Sequence, residues 1–200
     1  MCALVNSWLG GLKNAPQLDT NRLVLRAMHA GDVSEIQYHV NTKAVCDNLS
    51  YTPHPYTMEM AENWMRNINY SMEHGTCCYW AACDRTGGEF IGSMGISIFR
   101  EQDGGELHYW IGEKFWNRGY CTEAAKRVVK YVFEDLKLHR LQITHRKGNM
   151  ASKKVIEKCG FVFEGDFRDE LKRFGVYENV VHYSMLADEF FALKGAKTFD

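Results

Sequence analysis

One stretch, ELHYWIGEKFWNRGYCTEAAKRVVKYVFEDL from Glu106 to Leu136, constrains this chain more than any other. It predicts a short strand over Glu106 to Ile111, a loop carrying Gly119, and a long helix opening near Thr122. Within that helix Ala124, Ala125, Val128, Val129, Val132, Phe133 and Leu136 recur at three- and four-residue spacing, which makes one face apolar. Lys126, Arg127 and Lys130 fall largely off the stripe. A glycine loop that feeds a helix N-terminus suits a phosphate. The first backbone N–H groups lack partners inside the helix, and the macrodipole adds partial positive charge there. Gly119 lets the chain approach a ligand without a side chain in the way, and Arg118 adds a full charge. A tight strand-to-helix turn that binds nothing fits the loop equally well, so the rest of the chain has to decide.

Composition narrows the choice. Two hundred residues, 46% hydrophobic and 13% aromatic, suit one domain with a sizeable core. A net charge of −1 and a pI near 6.7 give no support for a nucleic-acid or anionic-membrane surface, so neither partner is expected. The seven cysteines are odd in number, form no CxxC pair, and lie mostly inside predicted strands or helices, where a free thiol is a small hydrophobe. A reduced, cytoplasmic compartment is the expectation. No apolar run is long enough to span a bilayer. The opening MCALVNSWLGGLKNAP lacks a basic n-region and is not read as a signal peptide. Its Leu4, Val5, Trp8, Leu9 and Leu12 would line a short helix, an arm over 1–17 for packing or dimer contact.

Taken in order, the domain is expected over 18–190, with a tail over 191–200. Arg22 to Ala27 alternates like a strand. Asp32 with Glu35 predicts a capped helix running to about Val40. A loop stiffened by Pro53 and Pro55 precedes Thr57, which caps a helix whose Met58, Ala61, Met65, Ile68 and Met72 form a stripe, read as a buried face. Cys77 to Cys83 and Phe90 to Phe99 predict two strands joined by a turn over 84–88, and Gly92 and Gly95 point to a bulge or a close backbone approach. After the central helix come a strand over Arg140 to Thr144, a short helix over Ala151 to Cys159 stopped by Gly160, and strands over Phe161 to Phe167 and Val180 to Leu186. There is no internal repeat or linker, hence one domain.

Several chemistries are excluded. The chain has no GxxxxGK[ST] loop, no dinucleotide GxGxxG pattern and no GxSxG elbow. Its eight histidines form no HxxxH or Cys/His cluster, so no metal site is expected, and His139 and His145 read as surface or structural.

The run Trp116-Asn117-Arg118-Gly119-Tyr120-Cys121, followed by Thr122-Glu123-Ala124, resembles the acetyl-CoA pyrophosphate loop of the GCN5-related N-acetyltransferases. It is most similar to their ribosomal-protein N-terminal acetyltransferase branch. Three further stretches agree in order and spacing: Leu18 to Leu25 with Asn21-Arg22-Leu23; His54 to Thr57 leading into a helix with Trp64; and Asn149 to Ser152 through Lys158 to Phe161. Trp116 departs from the Gln or Arg often found there, and Cys121 from Gly or Ala, changes that backbone binding tolerates. The resemblance implies an α/β (α+β) fold: a mixed, mostly antiparallel twisted sheet with helices on both faces. The strands at Glu106 to Ile111 and Arg140 to Thr144 would be parallel neighbours that splay apart, linked by the helix from Thr122. The pantetheine arm would lie in the splay as an added strand does. On this reading Trp110, Ile111, Trp116, Asn117, Arg118, Gly119, Tyr120, Cys121, Thr122, Asn149 and Ser152 meet acetyl-CoA.

The implied chemistry is attack of a neutral amine on the thioester by direct transfer in a ternary complex. Glu106 matches the position of the family's base, a role weighed against that of a solvated strand-end carboxylate. Ser152 matches the serine proposed as proton donor to the thiolate, but a first-turn hydroxyl satisfying backbone fits as well. Asn149 is either a contact to the pantetheine or a helix N-cap. The catalytic Tyr that many members carry in this helix is replaced by Ile156. The favoured acceptor is a protein N-terminal α-amine. The alternatives are a small amine, such as a polyamine or aminoglycoside, and a catalytically silent acyl-CoA-binding module. Monomer and homodimer both remain open.

Overall fold

A parallel pair of strands needs a crossover, and in this protein an amphipathic helix provides it. The computed structural model describes residues 15–196, so the expected helix within the N-terminal arm lies outside the described residues. Strands β1 (Leu18–Asp19), β2 (Leu23–Ala27), β3 (Cys77–Asp84), β4 (Phe90–Phe99) and β5 (Gly104–Ile111) form an antiparallel run. Helix α4 (Tyr120–Glu134) then carries the chain to β6 (Arg140–Arg146), which lies parallel to β5. β7 (Val162–Arg173) and β8 (Val176–Leu186) complete a sheet ordered β1-β2-β3-β4-β5-β6-β8-β7.

The β5–β6 pairing covers three residue pairs: Gly104 with Arg140, Gly105 with Leu141, and Glu106 with Gln142. Beyond Glu106 the strands part. β5 continues to Ile111 paired only with β4, and β6 continues to Arg146 paired only with β8. The expected splay is present, and its apex is at Glu106.

Helices cover both faces. α4 sets Ala124, Ala125, Val128, Val129 and Val132 against Trp80, Met94, Ile96 and Leu107, all of them buried in one core. Its apolar stripe is the expected one, but the helix opens at Tyr120, two residues before Thr122. On the other face α1 (Asp32–Val40) and α3 (Met58–Glu73) bury Ile36, Ala61, Met65 and Ile68 against Ala81, Cys83 and Phe90. Thr57 caps α3, its hydroxyl accepting the Met60 N–H, and Met65, Ile68 and Met72 are buried as expected, whereas Met58 is exposed.

Four expectations need correction. Asp32 is not an N-cap: Gly31 holds that position. The Asp32 carboxylate, 2% exposed as a residue, instead accepts from Arg26 at 2.7 and 2.8 Å and from the His29 N–H at 2.9 Å. A short helix, α2 (Lys43–Asn48), occupies what had no predicted element. β7 and β8 run much further than 161–167 and 180–186, meeting in a hairpin at Phe174 and Gly175. Finally, α6 (Ala187–Gly195) spans the expected boundary at 190, because Phe190 is fully buried and stacks 5.0 Å from Phe133 of α4. Gly92 and Gly95 fulfil the close-approach expectation. A Cβ at Gly92 would lie 2.3 Å from the Trp110 carbonyl oxygen, and one at Gly95 would lie 2.2 Å from the Tyr79 ring.

Candidate active site

Between the end of β5 and α4 the chain turns on two left-handed residues, Asn117 (φ 60°) and Gly119 (φ 79°). Gly119 is the N-cap of α4 and offers no side chain to the first helical N–H groups. Those groups have no intrahelical acceptor, so the loop presents them with the positive end of the helix dipole. Asn117, Arg118 and Gly119 are exposed, while Tyr120, Cys121 and Thr122 are half-buried. Trp116 braces the loop from inside: its indole N–H donates to the Ile111 carbonyl at 2.7 Å. Ile111 itself is buried in the core. Ile111 thus enters the loop's support through its backbone carbonyl, and Trp116 is half-buried against the loop.

A second brace comes from the turn between β1 and β2. Glu123, in the first turn of α4, accepts from the Thr20 hydroxyl at 2.7 Å, the Arg22 backbone N–H at 2.8 Å and the Arg22 Nε at 2.6 Å. Burial alone would raise the Glu123 carboxyl, but these donors outweigh it and hold the group below its ordinary value. Arg22 also donates to the Arg118 carbonyl at 2.9 Å and lies 4.6 Å from the centre of the Tyr120 ring. A carboxylate near a helix N-terminus is favourable in itself, and here it also ties the loop to the far side of the sheet.

The splay opens into a cavity of about 770 Å³. Glu106, His108 and Trp110 alternate with Leu107, Tyr109 and Ile111, so the first three share the α1–α3 face. The Gln142 amide donates weakly to the Glu106 carboxylate at 3.4 Å. The rings of Tyr79 and His108 stack at 6.3 Å on that face, in the room left by Gly95, and Trp64 meets Tyr79 edge-on at 5.7 Å. His108 bonds the Ser97 hydroxyl at 2.9 Å, and burial lowers its pKa, which favours the neutral imidazole. Trp110 packs 5.9 Å from Phe90 and also lines the cavity. A further wall is the end of α2 with the segment that follows it, Asn48 to Thr52. It is held because Arg146 donates to the Asp47 carbonyl and Arg173 to the Cys46 carbonyl at 2.9 Å, cations at a helix C-terminus.

On the opposite face, Asn149 caps α5 (Met150–Lys158), its Oδ1 accepting the Ser152 N–H at 3.0 Å. The Ser152 Oγ lies 2.9 Å from the Tyr109 hydroxyl. Tyr109, Asn149 and Ser152 all line the cavity. The structure therefore brings Glu106, Trp110, Asn149 and Ser152 to one cavity, and sets Asn117 to Thr122 at the α4 N-terminus. Ile156 is buried, 1% exposed, and lines no part of the cavity. Of the surface and structural readings of His145, burial fits the structural one, its Nδ1 lying 2.8 Å from the Arg146 carbonyl. Sequence reasoning assigned no part to Arg22, Glu123, Tyr79, His108 or Tyr109. An acid in the first turn of a phosphate-type loop was a signal for a partner such as Arg22. Gly95 was a signal that some ring would cross its strand.

The Acetyltransferase (GNAT) domain family matches residues 22–162. YdaF of Bacillus subtilis (strain 168), which bears a provisional name as a ribosomal N-acetyltransferase, is 39% identical over 84 residues, 42% of this chain and 46% of that protein. The N-acetyltransferase p20 of Bacillus licheniformis, itself uncharacterised, is 26% identical over 174 residues, 86% of this chain and 97% of that one. Among solved structures, Mycobacterium smegmatis RimJ in complex with CoA-disulfide aligns with a TM-score of 0.80 at 18% identity, covering 94% of this chain and 97% of its own. RimL, a ribosomal L7/L12 alpha-N-protein acetyltransferase solved with coenzyme A, aligns with a TM-score of 0.79 at 19% identity over 87% and 99% of the two chains. A matching domain over 22–162 and a sheet split at Glu106 lead to one conclusion: this chain belongs to the GNAT family of N-acetyltransferases, and it is an acyltransferase.

Proposed function

We propose that the enzyme transfers the acetyl group of acetyl-CoA to a protein N-terminal α-amine, directly, within a ternary complex. The observation that carries this reading is the position of Glu106, the last residue of β5 paired with β6 before the two strands diverge. An extended pantetheine arm fits between the parted strands, where the β5 edge beyond Glu106 has no β6 partner and offers backbone groups for pairing. The α4 N-terminus, with Gly119 and Arg118, would take the pyrophosphate, its backbone N–H groups doing the binding. Asn149 spends its amide oxygen on the α5 cap, which leaves the amide N–H2 as its group for the cofactor.

In the reaction the amine nitrogen bonds to the acyl carbon, the carbon–sulfur bond breaks, and its electron pair leaves on sulfur. The amine must be neutral to attack, and Glu106, directly or through a water, takes the proton it sheds. Acceptor basicity decides how much help is needed. An α-amine of pKa about 7.8 costs about 1 kcal/mol to neutralise at pH 7, and a lysine near 10.4 costs about 5 kcal/mol. A single carboxylate suits the first task better. The wall chemistry supports the same choice: among the described residues lining the cavity the acids are Glu106 and Glu170, and Glu170 is engaged by His182 at 2.6 Å, so they offer no cluster of free acids of the kind a polyamine requires.

Incubating the protein with acetyl-CoA and a panel of N-terminal peptides and small amines, with free thiol followed and products mass-analysed, tests this. The expected result is thiol release with peptides bearing a free α-amine, and acetylation at that nitrogen. Preference for a small amine would replace the acceptor. Binding of acetyl-CoA without transfer to any amine would leave the silent-module reading.

A further inference from the structure

The site contains a hydroxyl pair whose direction has a chemical consequence. Tyr109 projects from β5 toward α5, and its hydroxyl lies 2.9 Å from the Ser152 Oγ and 3.4 Å from the Ser152 carbonyl oxygen. Either hydroxyl can donate across the 2.9 Å contact, and the carbonyl, which only accepts, lies too far at 3.4 Å to hold the phenol proton by itself. A phenol is the stronger acid and the better donor of the two hydroxyls. Burial, with the Cys121 thiol beside it, keeps that phenol well above its ordinary pKa of 10, and it stays protonated throughout the working range. Ser152 is fixed from its other side as well, its backbone N–H bound to Asn149.

We infer that Tyr109 is a positioning residue: by donating to the Ser152 Oγ it leaves the serine's own proton as the one free to point at the departing sulfur of CoA. This rests on the cofactor placement proposed above. It also changes what Ser152 does. An aliphatic hydroxyl is a far weaker acid than a thiol, whose pKa is near 8.5 by analogy with cysteine, so full transfer of the serine proton to the thiolate runs uphill. The serine instead holds the developing thiolate by an O–H···S hydrogen bond. No proton is gained or lost at Ser152 or Tyr109. The carbon–sulfur electron pair stays on sulfur, and solvent protonates the thiolate after it leaves.

Two readouts test the pair, one of them independent of any acceptor. The first is the pKa of the thiol of bound CoA, followed by thiolate absorbance against pH in the wild type, Ser152→Ala, Tyr109→Phe and the double variant. Tyr109→Phe keeps the ring, so a residue that only packs would lose nothing. The expected result is a thiol pKa raised by about one unit in either single variant and no further in the double, since hydrogen bonds to a charged group are worth about tenfold or more. The second is kcat with the best amine: a loss of about tenfold in either variant, unchanged KM for acetyl-CoA, and no added loss in the double. Unchanged thiol pKa and unchanged kcat in Tyr109→Phe would overturn the inference, as would losses that add in the double variant. Failure of CoA to bind the wild type would overturn the proposed function instead.

Discussion

Parallel pairing between β5 and β6 stops at Glu106, so this carboxylate stands where backbone N–H and C=O groups first come free for a ligand. Glu106→Gln keeps the size of the side chain and removes its basicity. With a weakly basic peptide amine, kcat should fall while acetyl-CoA affinity stays nearly constant, and the deficit should shrink as pH rises, because more of the amine is then neutral without help. Steady-state rates from pH 6.5 to 9.5 check this; an equal loss at every pH would make Glu106 a substrate-positioning group. Glu106, Asn149 and Ser152 were legible in the sequence because a resemblance places them. Tyr79 and His108 were not, since an aromatic or histidine in a strand carries no mark of which neighbour it will stack on. Only the strand order, which sets Tyr79, Gly95 and His108 side by side across β3, β4 and β5, brings the two rings together.

At the scale of elements, legibility followed burial. α4, β3 and β4 bury one face or both and show the periodicity that burial imposes. α2 has six residues, too few to repeat a pattern, and is held by Arg146 and Arg173 from distant strands. The outer halves of β7 and β8 are largely exposed on both faces, so Arg168 to Glu178 never alternates in polarity. α6 was hidden because most of it is exposed and Phe190 is its one buried residue, with Ala187 and Leu193 only partly buried against the core. Phe190→Ala should destabilise the protein by about 3–5 kcal/mol through the cavity it leaves, measurable by denaturant unfolding; a change under about 1 kcal/mol would mean α6 is an appendage.

The same outer strands contain a pH-sensitive staple. Arg140 of β6 donates to Glu164 of β7 at 2.8 Å and to the Ser184 hydroxyl of β8 at 2.9 Å, while Ser184 donates to Glu164 at 2.7 Å. The Arg140 guanidinium and the Ser184 hydroxyl hold the Glu164 carboxyl at about 2, below its ordinary 4.5. A lowered folded-state pKa contributes stability that is present above the unfolded value and lost as pH falls through the folded one. Both partners are about a third exposed, so solvent screening limits the contribution to about 1 kcal/mol or less. Wild type should therefore exceed Glu164→Gln in stability by that amount at pH 6, with the gap closing between about pH 4.5 and 2. A gap that is unchanged at pH 3 would contradict the pairing.

For the molecule as a whole, the cavity is built from segments far apart in the chain: α1, the Asn48 to Thr52 segment, β5, β6 and the β7–β8 hairpin. That is why the loop at the α4 N-terminus, contiguous in sequence, was legible, and the walls of the cavity were not. Two braces hold the arrangement, Arg22 with Glu123 at the loop and Arg146 with Arg173 at α2. The account turns on acetyl-CoA lying across the loop and the splay, and calorimetric titration of acetyl-CoA into wild type and Gly119→Val tests that most directly. Gly119 has a φ of 79°, and a Cβ there would be only 3.3 Å from the Arg22 guanidinium, so valine must distort the loop proposed to meet the phosphates. The predicted result is one site per chain in the wild type and affinity weakened by about tenfold or more in a Gly119→Val protein that remains folded, roughly the loss of one charge-assisted contact. No heat of binding in the wild type, or equal affinity in both proteins, would contradict it.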